Sequence, residues 1–154
     1  VIELGNVTQT SGLLLSTFGI VAVLIFLLPV NKLFDQLNPL NTLAFGMTAM
    51  GLSLLFISLS ETTLFLYFLM ATYGVGFAFL FPSINSLLIG ATRETHRGKA
   101  YGYFYAFFSF GVVIGSGLIG WLALSANEGF VFTGCLLIIA AIVIRLFKTE
   151  RQTA

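Results

Sequence analysis

Five apolar runs occupy most of this chain, each close to or above the roughly 20 residues that a helix needs to cross a bilayer. They cover residues 11–30, 41–60, 63–90, 100–124 and 130–147. The runs are uninterrupted, whereas a membrane strand alternates apolar and polar residues over about ten positions. Inside hydrocarbon every backbone N–H and C=O must find a partner within the protein, and a helix satisfies them within one segment. The sequence therefore predicts an all-α membrane protein, with residues 1–154 as one transmembrane domain. Composition agrees: 58% of residues are hydrophobic and only 8% are charged, against about a quarter charged in soluble domains.

The few charges are sorted by loop. Lys32 and Asp35 follow the first run, and Arg93, Glu94, Arg97 and Lys99 follow the third. Arg145, Lys148, Glu150 and Arg151 close the chain. The remaining acids, Glu3, Glu61 and Glu128, lie in the other loops. All seven basic residues thus fall on one side of an up-and-down chain, and the opposite side has none. The positive-inside rule predicts a multi-pass protein of the cell membrane (plasma or inner), N-terminus outside and C-terminus in the cytoplasm. The charge cluster in residues 91–108, ATRETHRGKAYGYFYAFF, reads first as a topogenic anchor.

Other chemistry fits that cluster poorly. Three basic groups beside an acid are too few for a surface that tracks phosphates, so no nucleic-acid partner is expected. An anionic-lipid contact is compatible but generic. His96 is the only histidine and Cys135 the only cysteine, so neither a metal site nor an internal disulfide is expected. No charged residue sits in the middle of a run, and paired carboxylates and hydrolase motifs are absent. The chain reads as no enzyme, with no catalytic residues and no cofactor. The stretch GSGLIG at 115–120 has dinucleotide-fingerprint spacing, but no strand precedes it and it lies inside an apolar run, so that match is rejected. The chain opens on Val1 without a basic region ahead of a short apolar segment, so no cleavable signal peptide is expected.

Local signals mark bends and contacts. The third run would make a helix of about 40 Å against a hydrocarbon core of about 30 Å, so it must tilt, bend or protrude. It contains Gly74, Gly76 and Pro82. Pro82 lacks an amide hydrogen and crowds the carbonyl of Ala78, which suits a hinge. Ordinary tolerance of Gly and Pro in membrane helices is the competing reading. In the fourth run Gly111 and Gly115 share a face, as do Ser116 and Gly120, a spacing that admits a neighbouring backbone closely. Pro39 is expected to end a helix, with Asn38 in a turn, and Thr62 or residues 125–127 are expected to cap helices.

Three stretches carry a resemblance. NKLFDQLNPL (31–40) is similar to the degenerate second-half copy of the inter-helix loop motif of the Major Facilitator Superfamily, with Leu33 and Asp35 in place. GVGFAFLFPSINSLL leading into THRGKAYG resembles that family's tenth helix and the loop entering the eleventh, with Arg97 and Gly98 as the matching pair. GVVIGSGLIG resembles the antiporter glycine motif through Gly111, Gly115 and Gly120, with Ser116 and Ile119 replacing its proline and one glycine. The pattern looks like the eighth to twelfth helices of a drug:proton antiporter-like carrier, most of one six-helix half.

The resemblance implies an alternating-access, efflux-type secondary transporter, proton-coupled in its full-length form. Its partners would be the lipid bilayer, a small apolar or amphipathic substrate and a missing N-terminal half. In that picture the third and fourth spans line the cavity, the second and fifth lie at the periphery, and Tyr73, Phe77, Tyr105 and Phe108 become wall residues. Each aromatic also has a plainer reading as a lipid-facing side chain. A complete five-helix assembly module without transport is the alternative for the whole chain.

Overall fold

A computed structural model describes the backbone of residues 2–27 and 38–153, with side chains over 9–27 and 38–146. Five long helices account for nearly all of it: α1 (Ile2–Leu27), α2 (Pro39–Leu59), α3 (Thr63–Ala91), α4 (Arg97–Trp121) and α5 (Ala126–Thr153). All five are long and apolar enough to cross a membrane. A single 3₁₀ turn, Glu94–His96, joins α3 to α4.

Helix ends follow local chemistry. Pro39 begins α2 rather than ending a helix: it stands in the first turn, where its missing amide hydrogen costs nothing. Asn38 is the N-cap, its side chain accepting from the Leu40 amide at 3.1 Å. Thr62 precedes α3 without a side-chain cap bond. Helix α3 runs unbroken through Pro82.

The α4–α5 connection is tighter than the sequence predicts. The fourth span stops at Trp121 instead of reaching 124, and α5 starts at Ala126 instead of 130. Ala123 turns left-handed at φ 48°. Its amide donates to Gly120 O at 3.1 Å and that of Leu124 to Ile119 O at 3.2 Å, the paired bonds of a Schellman ending. Two residues later Ser125 and Glu128 form a capping box. The Ser125 amide and hydroxyl both donate to Glu128 Oε2 at 2.8 Å, and the Glu128 amide returns to Ser125 Oγ at 3.4 Å.

Packing is uneven. Helix α2 lies between α3 and α5, α1 rests on α3, and α4 touches the others only slightly. Where the resemblance implies a peripheral second span, α2 is the most enclosed helix among the described residues, and α4 buries none of its side chains. Leu54, Ile57 and Leu69 form the core, with Phe130 and Leu137 of α5 against them. Gly46 meets Gly76 while residues 54–57 meet Leu69, so α2 and α3 are antiparallel. Residues 60–62 therefore sit at the opposite end of α3 from residues 92–97.

Candidate functional site

An aromatic face on α3 is the best-formed surface among the predicted wall residues. Tyr73, Phe77 and Phe81 recur every four residues, so one side of the helix carries all three rings. Phe18 of α1 packs edge-on to Tyr73 and to Phe77, with both centroid separations at 5.4 Å. Phe77 continues to Phe81 at 5.2 Å. Phe18 and Phe81 are absent from the residues predicted by sequence. The four-residue spacing marks Phe81, whereas Phe18 is a solitary ring in an apolar run and only the tertiary contact identifies it.

Gly74 explains why Phe18 comes so near. A Cβ there would stand 2.8 Å from the Phe18 carbonyl oxygen and 3.3 Å from Val21 Cβ. Gly76 does the same for α2, where a Cβ would lie 2.8 Å from Gly46 O. The two glycines read as hinge elements therefore sit at helix crossings, in a helix that stays continuous.

Tyr105 and Phe108 are placed elsewhere. They lie on α4, both about half exposed, and pair through Phe104 at 5.3 and 6.3 Å. Among the described residues nothing brings them to Tyr73 and Phe77. The glycine motif on the same helix is equally open: a Cβ at Gly111, Gly115 or Gly120 would meet nothing within 4 Å. Besides Gly74 and Gly76, the glycines that do admit a neighbouring backbone are Gly46, Gly51 and Gly134. A Cβ on Gly51 would lie 2.9 Å from Gly134 O, and the reverse distance is also 2.9 Å. Sequence spacing did not single out these pairs, because each crossing uses one glycine per helix rather than a repeat within one.

At the other end of α3, Arg97 Nη1 approaches Glu94 Oε1 at 3.5 Å, an exposed pair. Gly98 beside it has open space around it. Leu33 and Asp35, the other half of the predicted loop motif, lie outside the described residues. Among the described residues no three His, Cys, Asp or Glu side chains gather as metal ligands. The site chemistry is thus that of an apolar, aromatic surface with charge confined to the helix ends.

Comparison with known proteins places the sequence in a family. The sequence model of the Major Facilitator Superfamily matches residues 3–154. Multidrug resistance protein 2 of Bacillus subtilis (strain 168) is 29% identical over 135 residues, 87% of this chain and 34% of that protein. Multidrug resistance protein MdtG of Escherichia coli O9:H4 (strain HS) is 30% identical over 128 residues, 83% of this chain and 31% of that protein. The chain spans about a third of the length of these relatives. No solved structure matches significantly.

Proposed function

Given that this chain belongs to the Major Facilitator Superfamily, we propose that it forms the last five helices of a twelve-helix efflux carrier. The observation that carries this reading is the family match across residues 3–154. The relatives named for multidrug resistance support it, and their additional length leaves room for the seven helices that the reading requires. The substrate is a small apolar or amphipathic molecule. Tyr73 and Phe77, with Phe18 behind them, form one wall of its path. Tyr105 and Phe108 on the uncovered helix α4 belong to a wall completed by the missing helices.

Alternating access in such a carrier moves one half against the other around a midplane site. Proton coupling would reside in the remaining part of the carrier, because the apolar interiors of these five spans carry no carboxylate. Arg97 and Gly98, with Leu33 and Asp35, serve the cytoplasmic loops, while Gly111, Gly115 and Gly120 seat α4 against the other half. The N-terminus faces outside and the C-terminus the cytoplasm of the cell membrane.

Proteoliposome transport of a fluorescent lipophilic cation tests the proposal. This chain alone is expected to give no saturable, pH-gradient-driven flux, and co-reconstitution with a complementing first part is expected to restore it. Saturable flux by the chain alone would overturn the reading. A promoter and start codon just upstream of Val1 would instead favour a self-contained assembly module.

A further inference from the structure

Between α2 and α3 lies a groove of about 430 Å³ that the proposed transport path does not use. On α2 its wall is the stripe Phe45, Ala49, Ser53 and Phe56, and on α3 it is Phe65, Leu69 and Thr72. Ser53 and Leu69 form a closed floor, 1% and 4% exposed. Phe45 is held edge-on to Phe79 at 5.6 Å and closes the inner end. Phe65 and Phe68 stack as the outer wall at 6.3 Å.

The groove also contains three hydroxyls, and all three are turned inward. Thr48 donates to Ala44 O at 2.7 Å, Ser53 to Ala49 O at 2.8 Å and Thr72 to Phe68 O at 3.0 Å. Each uses its only proton within its own helix, so the groove offers an occupant hydrocarbon contacts and no donor.

Its length and mouth identify the occupant. From Phe45 to Phe56 the α2 wall rises about 16 Å, half of a hydrocarbon core of about 30 Å. It begins six residues into α2 and runs toward the α2–α3 turn, where a second cleft lined by Thr62, Phe65, Tyr67 and Phe68 continues it. Glu61 stands exposed in that turn without an ion pair among the described residues. The loops on this side carry acids and no Lys or Arg. A slot about 16 Å long, apolar in its lining and leading to Thr62, the residue next to the unpaired Glu61 carboxylate, complements a hydrocarbon chain topped by a cation. We propose that this groove binds one acyl chain of an aminophospholipid, with the headgroup ammonium at Glu61.

The test uses photoactivatable lipids in nanodiscs of phosphatidylcholine containing the 154-residue chain. Trace phosphatidylethanolamine, phosphatidylcholine or phosphatidylglycerol carries a diazirine in its acyl chain, and crosslinks are mapped by mass spectrometry. Phosphatidylethanolamine is expected to label residues 45–56 and 65–72 above α4, with a two- to five-fold preference over phosphatidylcholine, the scale of an exposed ion pair. Glu61→Gln should remove that preference while leaving acyl labelling of the groove. Ala49→Phe should fill the groove and abolish the labelling; Thr72→Phe serves if Ala49→Phe lowers the melting temperature. Equal labelling of α4 and the groove, or equal labelling by phosphatidylglycerol, would overturn the proposal. So would loss of labelling on co-reconstitution with a complementing first part, because the groove would then be an interface within the carrier.

Discussion

Ala123 holds a left-handed φ of 48°, which costs a residue with a Cβ roughly 1–2 kcal/mol. The Schellman bonds on either side of it supply the reason that the conformation persists. Ala123→Gly removes the steric cost and gives back part of the gain through the entropy of glycine in the unfolded chain, roughly 0.5–1 kcal/mol. The expected net is a stabilisation of about 0.5–1 kcal/mol, read as a higher melting temperature in detergent. Two residues on, Ser125→Ala should destabilise the start of α5 by about 1 kcal/mol through loss of its cap. Amide exchange in the first turn of α5 should quicken in that variant. An unchanged exchange rate would show that Glu128 alone holds the helix end.

At the scale of elements, two glycine crossings fix α2 between its neighbours. Gly46 against Gly76 and Gly51 against Gly134 bring backbones within van der Waals distance. In lipid that closeness is the driving force, because burial of apolar surface against apolar solvent supplies little. Gly51→Leu must displace Gly134 O and Ile138, which lie 2.9 and 2.8 Å from its would-be Cβ, and overpacking of this kind costs about 1–3 kcal/mol. The folded yield of this chain in detergent should fall accordingly. Gly115→Leu meets open space and should leave the isolated chain at wild-type yield and melting temperature. Its effect belongs to the complete carrier, where α4 acquires a neighbour, and there transport should drop. A lowered yield of the isolated Gly115→Leu chain would show that α4 packs more closely than the structure has it.

For the whole molecule, the antiparallel path of α2 and α3 puts residues 60–62 and 92–97 at opposite ends, in line with the segregation of acids and bases. Single cysteines at Thr95 and Ala126 in a Cys135→Ser background should then react from opposite faces of the membrane. An impermeant maleimide applied to intact cells is expected to label position 126 and spare 95. Labelling of both from outside would reject the orientation, and labelling of 95 alone would invert it.

The five spans were legible in the sequence because bilayer thickness imposes a length and hydrocarbon imposes a composition, and both are properties of contiguous residues. Tyr73 and Phe77 were named from the sequence one by one; the helical period that extends them to Phe81 was available there but was not used. Ends such as Asn38–Pro39 and Ser125–Glu128 were half legible: the residue types announce a cap, but which helix they serve depends on where the chain turns. The partners of Gly46, Gly51 and Gly134 were not legible at all. A crossing needs one small residue on each of two helices, and sequence spacing says nothing about which turn of one helix meets which turn of another. The same holds for Phe18 beside Tyr73 and for the groove between Phe45 and Phe65. Only the tertiary structure decided these, because in a membrane helices choose partners by the shape of opposed surfaces, after hydrophobicity has done no more than place them in the bilayer.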